Sequence, residues 1–297
     1  MSLTKGNTKW ILFLSSSSDA EERHIWDIAF GLLCLEAAGI SPKDIVIYVD
    51  GKNRNLISQI ISNATRHTYE IKDSIIFFDD QKNNSHENMV MFVTGHGSID
   101  GIDASPPITP FLLIKVIKES PKLECAVVYL GQCNAGIFNY VPAGKYKGSW
   151  VEHGPEVILV GATNLHNSLS KSTEENFLNG SVIWVANLFL LYIFKWITAP
   201  VDVDGDGQKT IIDSYKYAGV MSHGANKEIK ISSFVSSLDL HKEWTTAKEE
   251  HEKDPSDLTI KLKFEASEQK YVNALDARYT HQECWVLNSI PAQKIEI

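Results

Sequence analysis

Cys133 and His96 are the two residues whose types and settings could do covalent chemistry together. Cys133 follows the apolar run Cys125–Gly131 and precedes the small residues Asn134-Ala135-Gly136, which let backbone amides approach a bound carbonyl. A thiol so placed needs a nearby imidazole to become a nucleophile. His96 ends a second apolar run, Met89–Thr94, and sits between Gly95 and Gly97. The glycines keep bulk away, so backbone N–H groups can reach an oxyanion. Taken singly, a strand-end histidine or cysteine is usually structural. The pair at neighbouring strand ends points to a thiol nucleophile with an imidazole partner.

A second group of residues carries metal chemistry. Residues 202–213 read DVDGDGQKTIID, with carboxylates at positions 1, 3 and 5, glycine at 6 and a carboxylate at 12. That pattern fits the calcium loop of an EF-hand, with Asp202, Asp204, Asp206, Gln208 and Asp213 as the candidate ligands. Asp213 stands where a longer Glu is usual. The competing reading is an acidic turn that caps the helix beginning near Thr210.

The elements that must position these residues are legible as a strand–helix alternation up to about residue 220. Strands are expected at Lys9–Leu14, Ile45–Val49, Ile75–Phe78, Met89–Thr94, Cys125–Gly131 and Val157–Gly161. Several are apolar without alternation, as strands covered on both faces are. Ser18-Asp19-Ala20-Glu21 has a capping-box pattern and leads a helix carrying Ile25, Ile28, Leu32 and Leu35 that stops at Gly39. Thr109-Pro110 opens another through FLLIKVIKES. This alternation predicts an α/β fold, a mostly parallel sheet flanked by helices. Ligands of such sheets sit beyond the carboxyl ends of the strands, where both His96 and Cys133 fall. Past residue 224 the pattern changes. Glu243–Asp257 reads as a solvated helix and turn, and Lys261–Glu265 and Lys294–Ile297 as short strands. The division is therefore residues 1–224, a catalytic domain including the calcium-like loop, and 225–297, an α+β extension.

Composition narrows the class. The chain has 297 residues, 43% of them hydrophobic, with a net charge of −9. It can bury a large core, and its acidity disfavours a nucleic-acid partner. The four cysteines are scattered without CxxC spacing, as expected of thiols in a reducing compartment. Cys34, Cys125 and Cys284 fit apolar packing. The apolar stretch Trp10–Leu14 is too short for an export signal, so a cytoplasmic protein is expected. Ser181–Pro200 is strongly apolar, but Asn187 interrupts it and Lys195 closes a run of about 14 residues, short of the roughly 20 that span a bilayer. It is expected as a buried core helix, with no membrane partner.

Four blocks together carry a family resemblance. MVMFVTGHGS around His96 and CAVVYLGQCNAG around Cys133 resemble the strand-end motifs of the caspase and legumain group of cysteine peptidases. Thr94-Gly95-His96-Gly97-Ser98 resembles the legumain-like T-D-H-G-S, and Cys133-Asn134-Ala135-Gly136 its C-E-S-G. VILVGATNLHNS (157–168) resembles the following strand and loop, and Arg23-His24-Ile25-Trp26-Asp27 resembles R-H-Q-A-D in the first helix. The resemblance covers roughly residues 9 to 200 and implies a caspase-like fold. It implies Cys133 as nucleophile, His96 as its imidazole partner, and the amides of Gly97 and Cys133 as the oxyanion hole.

The implied reaction is hydrolysis of a peptide bond in a protein or peptide substrate, with no cofactor in the chemical step. Arg23, Ser168 and Asn164 match positions lining the pocket for the residue before the scissile bond. The legumain-like acid two residues before the nucleophile is absent, since Gly131 stands there, and a second acid near Asn179-Gly180 is absent too. A guanidinium without a balancing carboxylate favours an anionic side chain, hence cleavage after Asp over Asn. Asp19, Glu21 and Glu22 lie close enough in sequence to suit Lys or Arg instead. A homodimer is implied by the resemblance alone, and a regulatory partner bound through 225–297 is the other expectation for partners. The alternatives from other classes are a non-catalytic scaffold that senses calcium and a ligase using the same acyl-enzyme.

Overall fold

The computed structural model describes residues 1–147 and 152–297. Its centre is a seven-stranded sheet. The strands are β1 (Thr8–Leu14), β2 (Ile45–Val49), β3 (Ile71–Lys72), β4 (Asn88–Thr94), β5 (Cys125–Leu130), β6 (Glu156–Gly161) and, after a hairpin of β7 (Ser170–Phe177) and β8 (Gly180–Asn187), β9 (Trp285–Leu287). Their order is β9-β6-β5-β4-β1-β2-β3. Every pairing in the sheet is parallel except β9 on β6. The expected α/β class, a mostly parallel sheet with helices on its faces, is what the structure shows.

Every residue of β1, β4 and β5 is buried, which is why these strands read as unbroken apolar runs. On one face Trp10, Phe92 and Tyr129 stack across the strands, with Phe92 and Tyr129 centroids 5.2 Å apart. Helices α1 (Glu22–Ala37) and α5 (Leu188–Thr198) cover this face, Phe194 lying 4.8 Å from Phe92 and 6.4 Å from Phe30. The other face buries Ile11, Phe13, Met91, Val93 and Leu130 with Phe77, Leu113 and Ile117. These last three come from helices α3 (Ile76–Lys82) and α4 (Pro110–Lys118), which follow α2 (Arg54–Ser62) along the chain. Strand order reverses between β1 and β4, so the crevice at their carboxyl ends is the switch point where such sheets hold ligands.

Three local expectations are corrected. Ile75–Phe78 is not a strand but the start of α3, because one residue in the run, Phe77, is buried while Ile75 and Ile76 are exposed. Short apolar runs do not distinguish the two periods. Ser181–Pro200 divides at Asn187: the first part is strand β8, and α5 begins at Leu188, where the Asn187 side chain accepts from the Leu190 amide at 3.0 Å. Among the described residues no helix is long and apolar enough to cross a membrane. The capping box does not form either. Glu21 takes the N-cap position without a side-chain cap, and its carboxylate is used elsewhere.

The extension 225–297 is mostly helical, with β9 as its one strand. Lys261–Glu265 lies inside α7 (Leu258–Tyr279), which Asp257 caps by accepting from the amides of Thr259 and Ile260. The chain forms two compact units, Met1–Ser222 with Gln282–Ile297, and His223–His281. The second unit comprises the distal part of α6 (Ile211–Lys253), a turn and α7. Trp244 stacks on Tyr271 at 5.4 Å, His251 on Phe264 at 5.3 Å, and Lys263 pairs with Glu250 at 2.7 Å. Residues 282–297 return to the first unit, where β9 closes the sheet edge. Near their end, Glu296 makes isolated bridges to Ser2 and Thr210 rather than a full strand ladder.

Candidate active site

His96 follows β4 through Gly95, whose φ of +114° is a conformation that side chains disfavour. The imidazole is half-exposed, at 49%. Cys133 follows the neighbouring strand β5, after Gly131 and the buried Gln132. Asn134 then takes a left-handed conformation, φ 54°, which Asn tolerates better than most residues. That turn sends the chain into a short 3₁₀ segment, Ala135–Tyr140. Cys133 is partly exposed at this corner.

Contacts between main chains hold the two loops together. A Cβ on Gly97 would lie 2.4 Å from the Cys133 carbonyl oxygen and 2.5 Å from Cγ of Gln132, so only glycine permits this approach. Asn134 Nδ2 donates to the Gly97 carbonyl at 3.4 Å. A third loop closes the far side. The amide of Asn134 donates to His166 O at 2.8 Å and that of Gly136 to Asn164 O at 3.1 Å. The amide of Ser168 donates to Cys133 Sγ at 3.3 Å.

The fourth side comes from the start of α1. Glu21 bridges two partners: its Oε2 accepts from Arg23 Nε at 2.5 Å and its Oε1 meets His96 Nε2 at 2.7 Å. The bond to Arg23, then that to His96, holds the Glu21 carboxyl far below its usual range, at about 2. The unbalanced guanidinium expected from the sequence is thus corrected. Arg23 carries Glu21 as its counter-ion, and its Nη1 also reaches Ser170 Oγ at 3.4 Å.

Behind these groups lies a buried network. Asp27 Oδ2 accepts from Thr94 Oγ1 at 2.9 Å, and Oδ1 accepts from Trp184 Nε1 at 3.0 Å and the Asn187 amide at 3.2 Å. Asn187 Nδ2 in turn donates to the Gly131 carbonyl at 2.6 Å and to Ser168 Oγ at 3.2 Å. Three elements, α1, β5 and the loop before β7, are therefore tied together beneath Cys133. Asp27 and Asn187 were not among the expected site residues. The signal for Asp27 was its place four residues after Arg23 on one helix face; Asn187, a polar residue in an apolar run, signalled only an interruption.

Of the expected residues, the structure gathers Cys133, Gly97, Ser168 and Asn164 around one corner and His96 and Arg23 around Glu21. Burial pushes the thiols of Cys34, Cys125 and Cys284 up to about 12, in keeping with their expected packing roles.

The calcium-like loop is a separate site. Asp202, Asp204 and Asp206 hold carboxylate oxygens within 4.8 Å of one another, a hard-oxygen set suited to Ca²⁺. Lys216 already pairs with Asp204 at 2.5 Å. Asp202 accepts from the amides of Gly205 and Gly207, and Asp206 from that of Gln208. Asp213 is fully buried and its two oxygens accept from Val203 N at 2.7 Å, Thr210 N at 2.8 Å and Thr210 Oγ1 at 3.0 Å. In this structure Asp213 fastens the loop to the first turn of α6, so three of the five expected ligands converge.

No family model and no curated protein matches the chain. Among solved structures it is similar to caspase-1 from Spodoptera frugiperda, at 10% identity and a TM-score of 0.40, over 74% of this chain and 78% of that one. A likeness of that size carries no argument about chemistry.

Proposed function

We propose that this protein is a caspase/legumain-like cysteine endopeptidase acting on protein or peptide substrates. The observation that supports it is the approach of Gly97 to Cys133, which seats an imidazole-bearing loop and a thiol-bearing loop side by side at a switch point. In the proposed reaction His96 takes the proton of Cys133, and Sγ attacks the scissile carbonyl. The amides of Gly97 and Cys133 stabilise the oxyanion. Collapse expels the amine with the proton from His96 and leaves a thioester, which water then hydrolyses. No cofactor enters these steps. Ca²⁺ bound by Asp202, Asp204 and Asp206 belongs to the same reading, as an ion that braces the turn between α5 and α6.

One observation favours a second reading, a non-catalytic or latent module. His96 Nε2 is engaged by Glu21, and Arg23 is neutralised by the same carboxylate. An Asp-selective pocket therefore requires Glu21 to leave Arg23 when substrate enters.

Fluorogenic tetrapeptides ending in Asp, Asn, Arg or Lys, assayed with and without Ca²⁺, test both readings. Turnover that is lost in Cys133→Ala and His96→Ala establishes the peptidase. Silence across the panel, with Cys133 also inert to iodoacetamide, establishes the non-catalytic module. Iodoacetamide labelling that His96→Ala slows, without turnover, identifies a latent enzyme.

A further inference from the structure

His24 enters the site from α1 with its ring edge-on to His96, centroids 5.2 Å apart. Its tautomer follows from its neighbours. Thr94 Oγ1 gives its proton to Asp27, so the 3.3 Å contact between Thr94 Oγ1 and His24 Nδ1 requires Nδ1–H as the donor. Asp27 Oδ2, 3.6 Å from the same nitrogen, reinforces that choice. Neutral His24 therefore carries its lone pair on Nε2. The side chain is 5% exposed, and Nε2 has no hydrogen-bond partner among the described residues. Buried polar atoms are rarely left so without a reason.

We propose that Glu21, His24 and His96 form a binding site for a divalent transition-metal ion of the Zn²⁺ type. Their donor atoms lie within 4.8 Å of one another. Two imidazoles and one carboxylate are a zinc donor set, closing to about 2.0–2.2 Å around the ion and leaving a fourth position for water. Imidazole selects this metal class over the hard cations suited to the acidic loop. Asp27 and Thr94, holding Nδ1–H of His24, are the outer partners that orient a metal-binding imidazole. The ion takes the place of the proton between His96 and Glu21, and that proton passes to solvent. Metal binding stands independently of the peptidase reading. Its consequence, withdrawal of His96 from the thiol and reversible inhibition, rests on it.

The test is titration of the metal-free full chain, and of its Cys133→Ala variant, with Zn²⁺ against a chromophoric chelator in excess Mg²⁺. Both are expected to bind one ion. Glu21→Gln should weaken binding at least tenfold and His24→Gln at least a hundredfold. Because His24 is buried, its variant is first checked for cooperative melting, and the exposed Glu21→Gln carries the test if it fails. Co²⁺ added to Cys133→Ala should give visible d–d absorption that Glu21→Gln abolishes. Where peptide turnover is present, Zn²⁺ should suppress it at the same midpoint and EDTA restore it. Absence of a saturable site overturns the proposal. So does affinity unchanged in Glu21→Gln, or binding that disappears in Asp202→Asn/Asp204→Asn, which would put the ion in the acidic loop. Zinc bound by a chain that cleaves no peptide upholds the metal site and counts against the peptidase alone.

Discussion

Glu21 is the residue on which the electrostatics of the site turn. Its carboxyl is held at about 2 against an ordinary 4.5, first by Arg23 and then by His96. A carboxyl depressed by folding stabilises the native state above its unfolded pKa, and that contribution fades as pH falls through the folded one. Wild type should therefore exceed Glu21→Gln in stability above about pH 4.5, with the gap closing between there and pH 2. Urea midpoints measured across that interval check this. Asp27 is different in kind, because it is buried and fully bonded. Asp27→Ala leaves the donors of Thr94, Trp184 and Asn187 without their acceptor, and is expected to cost about 3–5 kcal/mol in urea unfolding.

At the scale of elements, α5 is docked through its first turn onto the end of β5. Asn187 caps that helix and also satisfies the Gly131 carbonyl. Asn187→Ala should thus cost about 2–4 kcal/mol, a cap plus an exposed buried acceptor. The same packing explains why no acid precedes the thiol. A Cβ on Gly131 would lie 2.6 Å from Leu190 Cδ1 and 2.9 Å from the Val93 carbonyl oxygen. Gly131→Ala is expected to destabilise by about 1–3 kcal/mol through displacement of α5, read as a lower melting temperature. The residue that a legumain-like pocket would place here has no room.

For the whole molecule, the return of residues 282–297 to the first unit matters more than their length suggests. Trp285 packs over Gly161 and donates from Nε1 to Thr163 O at 2.9 Å, and β9 covers the edge of β6. Truncation after His281 should expose that edge and give an aggregating protein. Replacing 223–281 by a short flexible linker should instead leave one cooperative unfolding transition, because Ser222 Oγ already lies 3.8 Å from Cys284 Sγ. Differential scanning calorimetry of the two forms distinguishes these outcomes.

The buried parallel strands, the helix begun by Thr109-Pro110 and the placing of His96 and Cys133 at strand ends were legible in the sequence. Each depends on hydrophobic period or on a cap, which neighbours a few residues apart determine. The sequence could not say that Ile75–Phe78 turns into helix, since a run so short has no period. Nor could it say that Lys261–Glu265 is helical, because the Asp257 cap and the partner helix decide it. The pairing of Glu21 with both Arg23 and His96, the buried Asp27–Asn187 network and the use of Asp213 as a loop fastener were likewise hidden. Those contacts join residues up to 160 positions apart, Asp27 and Asn187. The tertiary structure alone decides them, because a polar side chain shows what it can bond to but not which partner the fold will bring within 3 Å.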